Sequence, residues 1–133
     1  MVPISSYRFG PRRLHEATAN VTGASGGIGT GLVEGFLSEG YNVVATSRDA
    51  NPKFTTSVIL ILLDGDISKQ QTAADAVEVA INNFGAIDVL VNNAGIFLTK
   101  PFIDFTAEDF NALLSTNLLG LFYITQRTVK EML

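Results

Sequence analysis

The 133-residue sequence contains no cysteine and a single histidine. Disulfides and thiolate metal sites are thereby excluded, and zinc has too few donors. Charge is sparse as well: Asp, Glu, Lys and Arg make up 17% of the chain. That is low for a small free-standing domain and hints that part of the surface expects a partner. The balance is acidic, with a net charge of −4, which argues against nucleic acid as the main ligand. No apolar run approaches the ~18 residues of a membrane span. The longest, VILILL at 58–63, has strand length. Residues 1–17 hold Arg8, Arg12, Arg13 and Glu16 but neither an h-region nor a clear amphipathic period. They read as an irregular leader, not a secretory or transit signal, and a cytoplasmic location is expected.

What is present is a core. Apolar residues make up 47% of the chain, enough for one buried domain or a piece of one. The remainder, 18–133, alternates between two periods with no linker and no repeat. ATANVT (17–22) is a short, poor strand, and YNVVATS (41–47) a better one. VILILL (58–63) and IDVLV (87–91) are apolar throughout, which suits strands buried on both faces of a parallel sheet. Leu32, Val33, Phe36 and Leu37 are spaced for a helix over 31–40, with Gly40 placed to end it. Ala73, Ala76, Val77, Ala80, Ile81 and Phe84 repeat that spacing before a terminating Gly85. Residues 48–57 read as a loop. From Ala107 to Leu133 one long helix is expected, apolar over a broad face, and Thr106 with Asp109 forms a weak capping-box analogue ahead of it. Alternating strands and helices give an α/β, doubly wound parallel sheet, and right-handed crossovers set its order at 3-2-1-4.

Between the first strand and the first helix lies TGASGGIG (22–29), four glycines in eight residues. At such a junction, free backbone N–H groups and the helix dipole favour an anion. A side chain there would keep a pyrophosphate away, so dinucleotide binding is the natural reading. The strict G-x-G-x-x-G spacing is absent. What occurs is T-G-x-x-x-G-x-G at Thr22, Gly23, Gly27 and Gly29, followed by N-N-A-G at Asn92, Asn93, Ala94 and Gly95. The two motifs together, at this separation, resemble the short-chain dehydrogenase/reductase family over residues 20–133.

The resemblance implies a cofactor site. Gly23, Gly27 and Gly29 would line the pyrophosphate, with Ser25 and Ile28 offering backbone N–H groups. NAD-preferring members place an acidic residue at the end of the second strand. That position looks like Ser47 here, followed by Arg48, whose guanidinium suits a 2′-phosphate. NADP(H) is therefore favoured over NAD(H), although Arg48 could instead pair with Asp49. Asp66 and Ile67 match the residues that meet adenine, with Asp64 a rival acceptor. Asn93, Ala94 and Gly95 would lie near the nicotinamide-side ribose. Asn92 and Asn93 could equally tie neighbouring strands together. Asn117, in STNLLG, matches a helix asparagine that holds a kinked helix and a proton-relay water, a catalytic role; an amide buried among leucines would need such partners, the alternative being an asparagine that simply faces solvent on that helix.

The family's reaction moves a hydride between nicotinamide and a carbonyl or alcohol carbon. It uses a serine and a Tyr-x-x-x-Lys pair beyond a fifth strand. Here the residues four places after Tyr7, Tyr41 and Tyr123 are Pro11, Ala45 and Arg127. The expected sheet is thus partial, truncated before its fifth strand, and the chain is expected to be inactive alone. No metal is expected. Two further readings remain beside a cofactor-binding half of an oxidoreductase: a non-catalytic dinucleotide-binding or interaction module, and a gene fragment without function. The amino-terminal side also departs from the family, since Asn20 stands in what should be an apolar central strand. Without a fifth strand the fourth offers an open edge, so self-association through that edge and the last helix is plausible.

Overall fold

The computed structural model describes residues 17–49 and 53–133. The leader, with Tyr7 and His15, lies outside them. Four strands form one parallel sheet: β1 Thr18–Thr22, β2 Asn42–Ser47, β3 Leu60–Asp64 and β4 Val89–Val91. The order is β3-β2-β1-β4, the expected one, with Ala19 beside both Val43 and Val89. Helix α1 (Gly27–Ser38) connects β1 to β2, and α2 (Gln70–Phe84) connects β3 to β4.

The alternation of strand side chains builds two apolar layers. On one face Ala19, Val21, Val43, Ala45 and Leu60 pack with Val33 of α1. On the other Val44 and Ile87 pack with Ala73, Ala76, Val77 and Ala80 of α2 and with Ile124. Small residues on α2 bring that helix close to the sheet. It ends as its sequence requires: Gly85 adopts φ 77°, and its N–H donates to the Ile81 carbonyl.

Several expectations shift. Helix α1 begins at Gly27, inside the glycine run rather than after it. Residues 58–63 do not form a strand buried on both faces. Val58 and Ile59 precede β3 and are exposed, and within the strand only Leu60 is buried. The reason is position: β3 is an edge strand, so its apolar side chains are covered on fewer sides. Strand β4 covers only Val89–Val91 and is half-buried for the same reason, pairing with β1 alone. The loop after β2 contains no helix among the described residues.

The long carboxyl-terminal helix is three segments. Helix α3 (Ala107–Leu114) passes through a π turn, Ser115–Leu119, into α4 (Gly120–Met132). The capping box at its start is complete. The Asp109 N–H donates to the Thr106 hydroxyl and the Thr106 N–H to the Asp109 carboxylate. The Lys100 ammonium hydrogen-bonded to that carboxylate, together with the Thr106 N–H, holds its pKa down to about 2. The broad apolar face is largely uncovered: Phe110, Leu114, Leu118, Leu121 and Phe122 are all exposed. Only Gly120, Ile124 and Thr128 of α4 are buried, where it meets α2.

Asn20 is fully buried, and its amide answers part of the sequence objection. Nδ2 donates to the Ala76 carbonyl of α2 at 3.2 Å. Its Oδ1 has no partner, nor has the buried Thr18 hydroxyl two residues earlier on the same face.

Candidate functional site

At the carboxyl ends of the strands the chain leaves a cavity of about 420 Å³. Parallel α/β sheets bind ligands at this end, where connections diverge from a central strand. Here β1 feeds α1 on one face while the β4 connection runs to the other.

The glycine run divides into two kinds of position. Gly23 has φ 65°, and a Cβ on it would stand 2.8 Å from Ala94 Cα. A Cβ on Gly29 would stand 2.0 Å from the Gly23 carbonyl oxygen. These two glycines are required by the fold, because the strand, the turn and the helix touch there. Gly27 differs, since a Cβ on it meets no protein atom within 4 Å. It lines the cavity, so the space beside it belongs to whatever enters. Helix α1 has no side-chain cap and no acidic residue in its first turn. The N–H groups of Gly27, Ile28 and Gly29 therefore head the helix without intrahelical acceptors, at its positive end.

Thr22 ties this turn to the loop after β4. Its hydroxyl accepts from the N–H of Asn93 at 3.2 Å and of Ala94 at 3.1 Å, and lies 3.3 Å from the Val91 carbonyl. The Asn93 side chain donates to the Thr22 and Gly23 carbonyls at 3.2 and 3.0 Å. Asn92 donates to the Thr125 hydroxyl at 3.0 Å. Asn93 thus ties the chain after β4 to the end of β1, one of its two readings, and also lines the cavity, whereas Asn92 reaches helix α4 and not a neighbouring strand.

On the β2 side the Ser47 hydroxyl donates to the Asp49 carbonyl, closing the turn. Arg48 lines the cavity, and no ion pair joins it to Asp49 among the described residues. Asp66 accepts from the Ser68 N–H at 2.9 Å. Burial alone would raise its pKa. The hydrogen bonds from the Ser68 hydroxyl and N–H, with the positive charges of Lys69 and Arg48, outweigh that and hold it below the usual value. Asp66 is therefore an ionised acceptor at neutral pH.

Asn117 is exposed rather than buried among leucines. Its amide is nonetheless fully engaged. Oδ1 accepts from the Ile96 N–H at 2.7 Å, and Nδ2 donates to the Ile96 carbonyl at 2.9 Å. This pair pins the π turn to the chain leaving β4. One turn later Gly120 rests on Ile67, where a Cβ would stand 2.8 Å from the Ile67 side chain.

Gly23, Ser25, Gly27, Ile28, Gly29, Ser47, Arg48, Asp66, Ile67, Asn93, Ala94 and Gly95 all line the one cavity, while Asn117 stands behind its wall. Sequence reasoning missed Gly26, Thr46, Asp49, Gly65, Ile96 and Thr116. The rule that ligands sit beyond strand carboxyl ends would have found Thr46 and Gly65. Nothing local marks Thr116. Among the described residues no group of His, Asp or Glu could hold a metal ion, and no helix is long and apolar enough to cross a membrane.

The family model described as short chain dehydrogenase matches residues 17–133. The chain belongs to that family, whose members bind NAD(P). The NADP-dependent (R)-specific alcohol dehydrogenase of Lentilactobacillus kefiri is 33% identical over 126 residues, covering 90% of this chain and 50% of that protein. A solved short-chain dehydrogenase/reductase of the glucose/ribitol dehydrogenase type, from Brucella melitensis, superposes with a TM-score of 0.83 at 33% identity, over 87% of this chain and 52% of the other. A 3-ketoacyl-(acyl-carrier-protein) reductase from Brucella melitensis complexed with NADH gives 0.82 at 30% identity, over 90% and 51%. The chain spans about half the length of the curated relatives it matches.

Proposed function

We propose that this chain binds a reduced or oxidised nicotinamide dinucleotide in the cavity and prefers NADP(H). The observation that carries the reading is the open space beside Gly27, at the uncapped positive end of α1. The donor set fits the group. N–H groups of Ser25, Gly27, Ile28 and Gly29 face the pyrophosphate, Asp66 and Ile67 the adenine, and Asn93 to Gly95 the nicotinamide-side ribose. Arg48 supplies the charge for a 2′-phosphate, and Ser47 takes the place of a carboxylate that would repel it. The nicotinamide, when bound, is the hydride carrier. Asn117 holds the π turn against Ile96 and so shapes the wall of that half of the site.

Thermal unfolding of the purified chain tests this. At a hundredfold excess over Kd, NADPH should add about 2.7 kcal/mol to stability. NADH at the same concentration should raise the transition less, and Arg48→Gln should close the gap between them. A transition indifferent to both ligands overturns the site, and equal shifts overturn the NADP preference. These 133 residues hold no Tyr-x-x-x-Lys pair, so we expect binding without carbonyl reduction. Turnover by the pure 133-residue chain would contradict that.

The same reading extends to self-association. Leu118 and Phe122 are 58% and 51% exposed on the π turn and α4, and β4 has a free edge. Sedimentation should give species larger than the 14.2 kDa monomer, with Phe122→Glu shifting them towards it. A monomeric parent chain at high concentration would rule it out.

A further inference from the structure

Gly120 opens α4 with φ −58° and ψ −48°, a conformation open to any residue. Glycine inside a helix is unfavourable relative to alanine, so the helix gives no reason for it. Its neighbour does. A Cβ there would stand 2.8 Å from the Ile67 Cγ2 and 3.1 Å from the Ile67 carbonyl oxygen. The backbone of α4 therefore lies directly on Ile67, which is 7% exposed and lines the cavity beside Asp66. Gly120 stands behind it and does not line the cavity. Helix α2 grips the same short segment, since a Cβ on Gly65 would stand 2.6 Å from the Thr72 Cγ2. Helix α4 is itself held on either side of Gly120. Asn117 is bonded at both amide atoms to Ile96, and Ile124 is fully buried in one cluster with Ile67, Ala73 and Ala76.

We propose that Gly120 is a positioning residue for the adenine end of the cavity: by lacking a Cβ, it lets α4 seat Ile67 deep enough to leave that end open. It touches no ligand and acts through Ile67. The inference rests on the dinucleotide reading above. A methyl at position 120 would press on the Ile67 Cγ2. With α4 held on both sides and α2 closed against Gly65, the side chain is left the open cavity to move into. The unliganded chain absorbs the change by turning Ile67 into that space. A bound dinucleotide must force it back, so the overpacking emerges as lost affinity and hardly at all as lost stability.

The test titrates NADPH and 2′-phospho-ADP-ribose, which lacks nicotinamide, into the 133-residue chain, Gly120→Ala, Ile67→Leu and the double variant. Leucine keeps the volume of isoleucine and removes its Cγ2 branch. Without ligand, Gly120→Ala should melt close to the parent. It should bind both ligands about tenfold more weakly, a modest overpacking cost. In the Ile67→Leu background the same substitution should cost less than about twofold, because the two sites are coupled through one contact. If Gly120→Ala binds as the parent does, or if its loss persists undiminished in the Ile67→Leu background, the positioning role is wrong while the dinucleotide site stands. A loss confined to NADPH would place the disturbance at the nicotinamide end and overturn the proposal as well. Should Gly120→Ala fail to fold, the double variant decides: folding and binding restored support Ile67 as the residue pressed on, and a second failure overturns it. A parent chain that binds neither ligand removes the dinucleotide reading itself, and this inference with it.

Discussion

Gly27→Ala should fold as well as the parent chain and lose its dinucleotide, whereas Gly29→Ala should fail to fold. The two residues sit two places apart in one motif, and the difference comes from what a Cβ would meet. At Gly27 it meets no protein atom within 4 Å, and the residue opens α1 with ordinary helical geometry. Replacing glycine in a helix removes unfolded-chain entropy, so stability should hold or rise by up to about 1 kcal/mol. The added methyl occupies the approach to the N–H groups that head the helix. Binding of NADPH should weaken at least about tenfold, since a bound phosphate held off those groups forfeits charge-assisted hydrogen bonds of roughly 1.5–3 kcal/mol each. At Gly29 the Cβ would stand 2.0 Å from the Gly23 carbonyl oxygen and 2.8 Å from the Asn93 amide nitrogen. Neither the backbone of the turn nor the tied amide can withdraw, so the loss should reach or exceed the ~3 kcal/mol upper range of overpacking. Circular dichroism melts and ligand titrations on both variants decide it. A Gly27→Ala chain that melts early, or one that binds normally, would mean that the glycine there serves the fold and not the ligand.

This separation was not legible in the sequence, where all the glycines of TGASGGIG look alike. Glycine content announces that something comes close to the backbone; only the placement of neighbours says whether that is protein or ligand. Features whose cause is local read well. Gly85 ends α2, Thr106 and Asp109 cap α3, and the alternation of strands and helices gives the sheet order. Features set by distant packing read poorly. The run at 58–63 is apolar enough for a central strand, yet β3 lies at the edge and leaves Val58 exposed. The π turn leaves the apolar spacing of 107–133 almost unchanged, so periodicity shows the long helix but not its break, which only the resemblance at Asn117 implies as a kink. Asn117 was expected to be buried because leucines flank it in sequence, but those leucines are themselves exposed, and its partner Ile96 lies 21 residues away.

Thr22→Val should destabilise the chain by roughly 1–3 kcal/mol, and Thr18→Val, on the same face of the same strand, should not destabilise it at all. Both hydroxyls are buried in β1. The Thr22 hydroxyl receives the N–H groups of Asn93 and Ala94. Valine would leave the Ala94 N–H without a partner where β1 and the β4 loop are joined, at about 1–3 kcal/mol, while the Asn93 N–H would keep its other acceptor, the Val91 carbonyl at 3.1 Å. Thr22→Ser keeps the acceptor and should recover most of the loss. The Thr18 hydroxyl has no partner, so its desolvation is already uncompensated. Valine removes that penalty without changing the shape and should raise stability by up to about 1 kcal/mol. Equilibrium urea unfolding of the three variants measures the difference. A drop of 3 kcal/mol should lower the melting temperature of a domain this size by about 10 °C. If Thr18→Val were as damaging as Thr22→Val, its hydroxyl would have to be satisfied after all, by a buried water or a shifted neighbour. Opposite signs at two threonines four residues apart would show that β1 is polar for one reason at its carboxyl end, where it builds the site, and for no stabilising reason at its start.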